Sequence, residues 1–323
     1  MRRYGRIGLA GCAAVVASVL GVGLAPLPAQ AASVTQYGTV VFVADGDTVD
    51  VDVAGDGTST PRRIRLAGIQ AMELHTYKIN LALATGECHG IEATARLRRL
   101  LGGKRVTDGK VLTDGVTVRL TARDSRSSSR GRDERYVAVK GSDGGWHDVG
   151  QTLVRDGLVI PQPHPVEYAM NRSYRVLARR AAASHIGLWN RDSCGVRPAA
   201  AAALAVAVNW DAPGDDTKNV NGEYFKVTNT GRSSVSLAGW WVRDSALRRY
   251  TFGSGTTLAP GTSLYVHAGK GTTHRDGAGQ HLYWGQSSPV FENVTAAPNW
   301  MGDGGYLFDT RGNLRAWKQY GLV

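Results

Sequence analysis

The chain has 323 residues and a formal charge of +11, too long for one small core, and it is expected to fold as two domains. Three cysteines give no zinc cluster, and the eight histidines show no His-x-x-x-His spacing. Neither a serine elbow nor a phosphate-cradling glycine loop is present, which argues against nucleophilic serine or cysteine catalysis, while the excess of Lys and Arg suits a polyanionic partner.

The first 31 residues read as an export leader. A basic start (Arg2, Arg3, Arg6) precedes an apolar run over 9–25, then Pro26, Pro28 and the small-x-small site Ala29-Gln30-Ala31. The run is short, glycine-diluted and closed by a cleavage site, so no stable membrane span is expected after processing. Removing the leader takes three arginines and lowers the charge from +11 to +8. It also removes Cys12, leaving Cys88 and Cys194, which in an exported protein are expected to pair.

Strands are expected over 39–43, 49–53 and 63–67. The second, Val49-Asp50-Val51-Asp52-Val53, alternates strictly, as a half-buried strand does. Gly55-Asp56-Gly57 and Pro61 mark the turn between the second and third. This hairpin would carry Asp47, Arg65 and Glu73 to one sheet edge. Those types suit phosphodiester hydrolysis: one carboxylate for a hard cation, one to draw a proton from water, and a guanidinium for phosphate oxygens.

A helix over 91–101 follows, with Ile91, Ala95 and the Leu100-Leu101 pair inside and Arg96, Arg98 and Arg99 outside. Strands are expected at 116–122 and 136–139, separated by the polar run 123–135, which reads as a surface loop ending at Arg135. Helices are expected at 148–156, with Asp148 as N-cap, and at 166–183. Residues 196–203 read as a Pro/Ala linker with few contacts across it, so a chain ending near Val196 is expected to fold and act alone. Beyond it, strands at 205–210, 224–228, 236–242, 263–267 and 305–309 alternate with turn signals such as Asn221-Gly222 and Pro260-Gly261, which fits an all-β sandwich.

An ordered series of motifs resembles the thermonuclease (staphylococcal nuclease-like) family over about 34–194. It comprises Asp45-Gly46-Asp47-Thr48, Arg63-Ile64-Arg65-Leu66-Ala67-Gly68-Ile69, Glu73, Arg135-Tyr136-Val137-Ala138-Val139, Leu153-Val154-Arg155-Asp156-Gly157-Leu158 and Gly187-Leu188-Trp189. The resemblance implies an α+β OB-fold barrel with three helices, which the five strands also fit. It implies that Arg65, Glu73 and Arg135 are catalytic, with Glu73 as general base and the arginines on the phosphate. It further implies that Asp47, Gln70 and the Ala71 carbonyl bind calcium. Gln70 departs from the family, which has Asp there, and Asp133-Glu134 replace its usual Tyr-Gly before the second arginine.

Downstream, Asn221-Gly222-Glu223-Tyr224-Phe225-Lys226-Val227, Leu237-Ala238-Gly239-Trp240, Leu258-Ala259-Pro260-Gly261 and Gly302-Asp303-Gly304 resemble the lamin-tail domain over about 204–318. That resemblance implies an immunoglobulin-like sandwich with a binding role at a cell surface or on nucleic acid. The expected domains are thus 1–31 (leader), 32–195 (nuclease), 196–203 (linker) and 204–323 (sandwich). The expected protein is a secreted, monomeric, calcium-assisted endonuclease acting on DNA, RNA or both. The alternative is a non-catalytic nucleic-acid or cell-surface binding protein on the same scaffold.

Overall fold

The computed structural model describes residues 32–102, 115–195 and 203–321. The expected leader and nearly all of the expected linker lie outside the described residues. Ala31–Val323 forms one compact unit. Among the described residues, no helix is long and apolar enough to cross a membrane.

The N-terminal half is built from β1 (Val34–Val43), β2 (Thr48–Val53), β3 (Arg62–Leu66), β4 (Ile69–Ala71), β5 (Thr117–Ala122), β6 (Ser128–Ser129), β7 (Arg132–Lys140), β8 (Trp146–Asp148) and β9 (Val159–Pro161). Long β1 pairs antiparallel with β2 on one side and β5 on the other. β2 pairs with β3, β3 runs parallel to β7, and β7 returns antiparallel to β5. The ring β1-β2-β3-β7-β5 therefore closes. Alternation places Val49, Val51, Val53, Ile64, Leu66, Val118, Leu120 and Val137 in its interior. Gly38 permits the close approach of β2 to β1, because a Cβ there would lie 2.5 Å from the Asp52 carbonyl oxygen.

Three helices cover this barrel: α1 (Gly90–Leu100), α2 (Val149–Arg155) and α3 (Asn171–Ala183). Helix α1 buries Gly90, Ala93, Thr94 and Leu97, a face rotated from the expected Ile91/Ala95 stripe. Asp148 caps α2 as expected, accepting from the Gln151 N–H at 2.8 Å. Helix α3 starts at Asn171 rather than at 166. The difference has a cause in Glu167, whose buried carboxylate accepts the backbone N–H groups of Arg123 and Asp124. The chain before α3 is committed to that loop instead of to a helical turn. The polar run 123–135 is also more than a loop: it contains the β6–β7 hairpin, and β7 begins at Arg132.

The C-terminal half contains β10 (Leu204–Asn209), β11 (Tyr224–Asn229), β12 (Val235–Ser236), β13 (Trp241–Arg243), β14 (Arg249–Thr251), β15 (Thr257–Leu258), β16 (Ser263–His267), β17 (His274–Arg275), β18 (Gln280–Tyr283), β19 (Gly304–Phe308) and β20 (Leu314–Gln319). One sheet has the order β10-β11-β16-β18-β17 and another β14-β13-β19-β20. They pack as a β-sandwich, with Phe225, Val227, Leu264 and Val266 meeting Val242 and Leu307.

The second sheet is apolar on both faces. Val242 and Leu307 point into the sandwich, while Trp241, Tyr306 and Phe308 join the core of the barrel half. Trp189 packs against Trp317 at 5.2 Å and Tyr306 at 6.3 Å between ring centroids. Around them, Arg315 pairs with both Asp309 and Asp192, and Asn313 accepts from the Cys194 N–H at 2.8 Å. The Cys88–Cys194 bridge is present with Cα atoms 5.9 Å apart, beside Gly312 of the sandwich. The expectation of few contacts between the halves is thus overturned: they share a hydrophobic core.

Candidate active site

The turn between β1 and β2 aims the first carboxylate. The N–H groups of Ala44 and Asp45 donate to the Thr48 carbonyl, and the Asp47 N–H donates to Asp45 Oδ1 at 3.0 Å. Gly46 lets this turn press inward, since a Cβ there would lie 2.7 Å from Ala93 Cβ and 2.8 Å from Ala71 Cβ. The close approach puts Asp47 Oδ2 2.6 Å from the Ala71 N–H.

Arg65 lies on β3 directly opposite Thr48. Its guanidinium pairs with Asp47 Oδ2 at 2.9 Å and donates to the Ile69 carbonyl at 2.7 Å and to Gln70 Oε1 at 2.6 Å. An arginine has donors only, so Gln70 must face it with its amide oxygen. Gln70 Nε2 consequently faces Asp47 Oδ2 (3.3 Å), the Ala71 carbonyl (3.1 Å) and Glu73 Oε1 (3.3 Å). The structure therefore brings Asp47, Arg65, Gln70, Ala71 and Glu73 together, and all but Ala71 line a cavity of about 300 Å³.

Arg135 does not join them. Along β7 alternate residues face opposite ways, and Arg132 and Glu134 take the cavity side. Arg135 is buried on the other side, where it donates to the carbonyls of Ser125, Ser127 and Glu134. Two further arginines, Arg130 and Arg132, line the cavity, and Arg132 Nη1 donates to the Thr48 hydroxyl at 3.1 Å. Asp45 is a further cavity carboxyl, and burial together with the Asp47 charge pushes its pKa up to about 7. Sequence reading assigned no site role to Asp45, Arg132 or Glu134. The available signal was the period of two, counted from a strand that starts three residues before Arg135.

Half-buried Glu73 also titrates above the usual carboxylate range. Burial is the main cause, and the charges of Asp47 and Glu87 add to it, whereas Arg243 and Arg65 pull the other way. Arg243 belongs to the sandwich, and its Nη1 reaches Met72 Sδ at 3.8 Å. Nearby, Arg249 Nη1 pairs with Glu87 Oε1 at 3.0 Å, and Glu87 Oε2 accepts the Glu73 N–H at 3.3 Å. Ala246 and Leu247 close the cavity from the same side. Their loop is held by Asp244 Oδ1, which accepts the N–H groups of Ala246 and Arg248, and Leu247 takes a φ of +73° within it.

The half that supplies this wall can be placed by comparison. Residues 200–322 match the family model of the Lamin Tail Domain. The lamin tail domain thus contributes Ala246 and Leu247 to the cavity and Arg243 to the electrostatics of Glu73. No curated protein matches the chain. The nuclease resemblance of the barrel half accordingly rests on its sequence motifs alone.

Asp47, Gln70 and Ala71 do not present a ready oxygen shell. Calcium takes oxygen ligands, and Gln70 turns a nitrogen donor toward the other two. Asp47 Oδ2 is itself engaged by Arg65 and by the Ala71 N–H. The three residues in this arrangement do not fit a calcium site.

Proposed function

We propose that the chain is an exported nuclease that hydrolyses phosphodiester bonds of DNA, RNA or both from the barrel half. The observation that carries this reading is the cavity in which Glu73 stands beside Arg65 and Arg132. The closed five-strand ring supports an OB-fold assignment, a scaffold that often binds oligonucleotides. The disulfide supports export, because such bridges persist in oxidising compartments.

In this reading Glu73 is the general base. Its raised pKa brings proton affinity toward neutral pH, where a base that must also ionise works best. Arg65 supplies a fixed positive charge, held in place by Asp47, the Ile69 carbonyl and Gln70. Arg132 takes the phosphate-facing role that the resemblance gave to Arg135. Charge built up on the phosphate would be met by donors already in position, which avoids reorganisation during the reaction. The catalytic residues are then Glu73, Arg65 and Arg132, and no step is routed through a cation.

The test is cleavage of plasmid DNA and of RNA by the full chain and by Glu73→Gln. The variant is expected to bind both polymers yet cut about 10² to 10⁴-fold more slowly. Equal cutting by both proteins would remove the base assignment. Retained binding with no cutting by wild type would favour the non-catalytic binding reading, to which the bonds of Arg65 to Asp47, Ile69 and Gln70 and the turned-away Arg135 would then belong.

A further inference from the structure

On the lamin tail domain, far in sequence from the cavity residues of the barrel, β16, β18 and β17 carry three histidines on one sheet face. His281 on β18 lies opposite Tyr265 of β16 and opposite His274 of β17. His267 lies two residues beyond Tyr265 and so shares its side. The rings stack: His274 on His281 at 4.6 Å and His267 near His281 at 5.1 Å between centroids. Asp276 stands in the turn joining β17 to β18. Ligand atoms of His274, Asp276 and His281 all lie within 4.8 Å of one another.

Hydrogen-bond accounting shows what this cluster lacks. His267 Nδ1 is 2.8 Å from the Asn221 carbonyl oxygen, which only accepts, so Nδ1 carries the proton. In the neutral ring, Nε2 is then an acceptor, and it lies 2.8 Å from His281 Nδ1, which must donate. His281 Nε2 is left with a lone pair, 3.1 Å from Asp276 Oδ1, another acceptor. Two imidazoles bridging a carbonyl and a carboxylate span three gaps with two ring protons. His274 repeats the pattern: its Nδ1 faces the Thr272 carbonyl at 3.2 Å, so its Nε2 lone pair is also exposed. Asp276 is fixed by the N–H groups of Ala278 and Gly279 on Oδ1.

We propose that His274 Nε2, His281 Nε2 and the Asp276 carboxylate form a site for a divalent transition metal of the zinc class. Two imidazoles and a carboxylate are ligands that zinc accepts, with a fourth position left for water or an outside ligand. The surroundings match what ligating histidines require, since each donates its other ring N–H to a fixed acceptor: His274 to Thr272, and His281 to His267. All three ligands come from one short segment, His-x-Asp-x₄-His, so binding would also fasten the β17–β18 hairpin. Sequence reading dismissed the histidines because it sought helical spacing. Here the hairpin register, not the helix period, brings them together. The site is independent of the proposed nuclease activity.

The experiment titrates zinc into the untagged, metal-stripped full chain against a chromophoric chelator, and records the visible spectrum after cobalt substitution. Wild type is expected to take up one equivalent and to give the intense bands of four-coordinate cobalt. His281→Ala and Asp276→Asn should abolish that uptake, and His267→Ala, which removes only the supporting ring, should weaken it about 10- to 100-fold. Wild-type uptake retained in His281→Ala would overturn the proposal. So would the absence of saturable uptake by wild type, and an NMR titration showing His281 as an imidazolium would then put a proton in the third gap.

Discussion

The barrel and the lamin tail domain meet along a seam and across a cleft, and the two contacts are made of different materials. At the seam, aromatic rings interlock, and buried charges such as Asp309 have partners on several sides: Arg315, Asn313 and the Arg311 N–H. At the cleft, carboxylates and guanidiniums of the barrel half line a cavity of about 300 Å³ that Ala246 and Leu247 of the lamin tail domain close. The first contact spends its polar groups on one another, and the second leaves them facing a space that a substrate could fill. A buried charge is thus a poor sign of function by itself, and the face it turns toward a cavity is a better one.

The largest expected effect comes from removing the seam. A chain ending at Gly195 would lose Trp241, Tyr306, Phe308 and Leu314 from the barrel's own core and uncover Trp189. Each such side chain contributes about 1.5–3 kcal/mol of burial, against a total stability of roughly 5–15 kcal/mol. The shortened chain is expected to be unfolded or aggregated, with no cooperative thermal transition by circular dichroism. A melting curve close to that of the full chain would show the seam to be dispensable and would restore the view of two self-sufficient domains.

The comparison also separates what could be read in the sequence from what could not. Asp47, Arg65 and Glu73 were legible because Val49, Val51 and Val53 fix the phase of β2, and the hairpin fixes β3 against it. Arg135 was given a cavity role by motif resemblance alone; the polar run before it hides the β6–β7 hairpin, whose alternation turns Arg132 rather than Arg135 to the cavity. The seam was missed for a different reason. Trp241-Val242 and Tyr306-Leu307-Phe308 are apolar at successive positions, the mark of strands covered on both sides, yet a Pro/Ala linker suggested independence. The third covering layer is the barrel half itself, which no local pattern in the strands identifies.

The two arginines of β7 test the cleft against its surroundings. Arg132→Ala should leave thermal stability nearly unchanged and slow cleavage about 10²-fold, as expected for a donor facing developing charge. Arg135→Ala should do the reverse. Its carbonyl partners at Ser125, Ser127 and Glu134 lose a buried donor, costing about 2–3 kcal/mol in denaturant unfolding, with residual folded protein cutting normally. Exchange of these two outcomes would return the catalytic role to Arg135. A smaller change concerns Gln70. Replacing it with Asp removes the amide nitrogen that faces Asp47, Ala71 and Glu73 and adds a carboxylate oxygen. Cleavage followed against calcium and chelator should respond to the cation more strongly in Gln70→Asp than in wild type; identical responses would place residue 70 outside any cation's reach.

The smallest effect probes the cleft from the lamin tail side. Glu73 acts as a base only when ionised, so activity should fall as pH drops through its pKa. That pKa already lies above the ordinary value through burial and the charges of Asp47 and Glu87, and Arg243 is among the groups holding it down. Arg243→Met keeps an unbranched side chain while removing the charge together with the Nη1 bond to Met72 Sδ. The ionised form of Glu73 loses a favourable neighbour, so its pKa must rise further and the acid limb of kcat/KM must move to higher pH. A shift of roughly half a unit corresponds to about 0.7 kcal/mol of lost interaction, the scale expected for one screened neighbour. The plateau at high pH should stay near the wild-type value, because there Glu73 is ionised in both proteins. A limb that moves to lower pH, or a plateau that falls while the limb stays put, would mean that Arg243 does not act on the base, and the lamin tail domain would then be only a wall of the cleft.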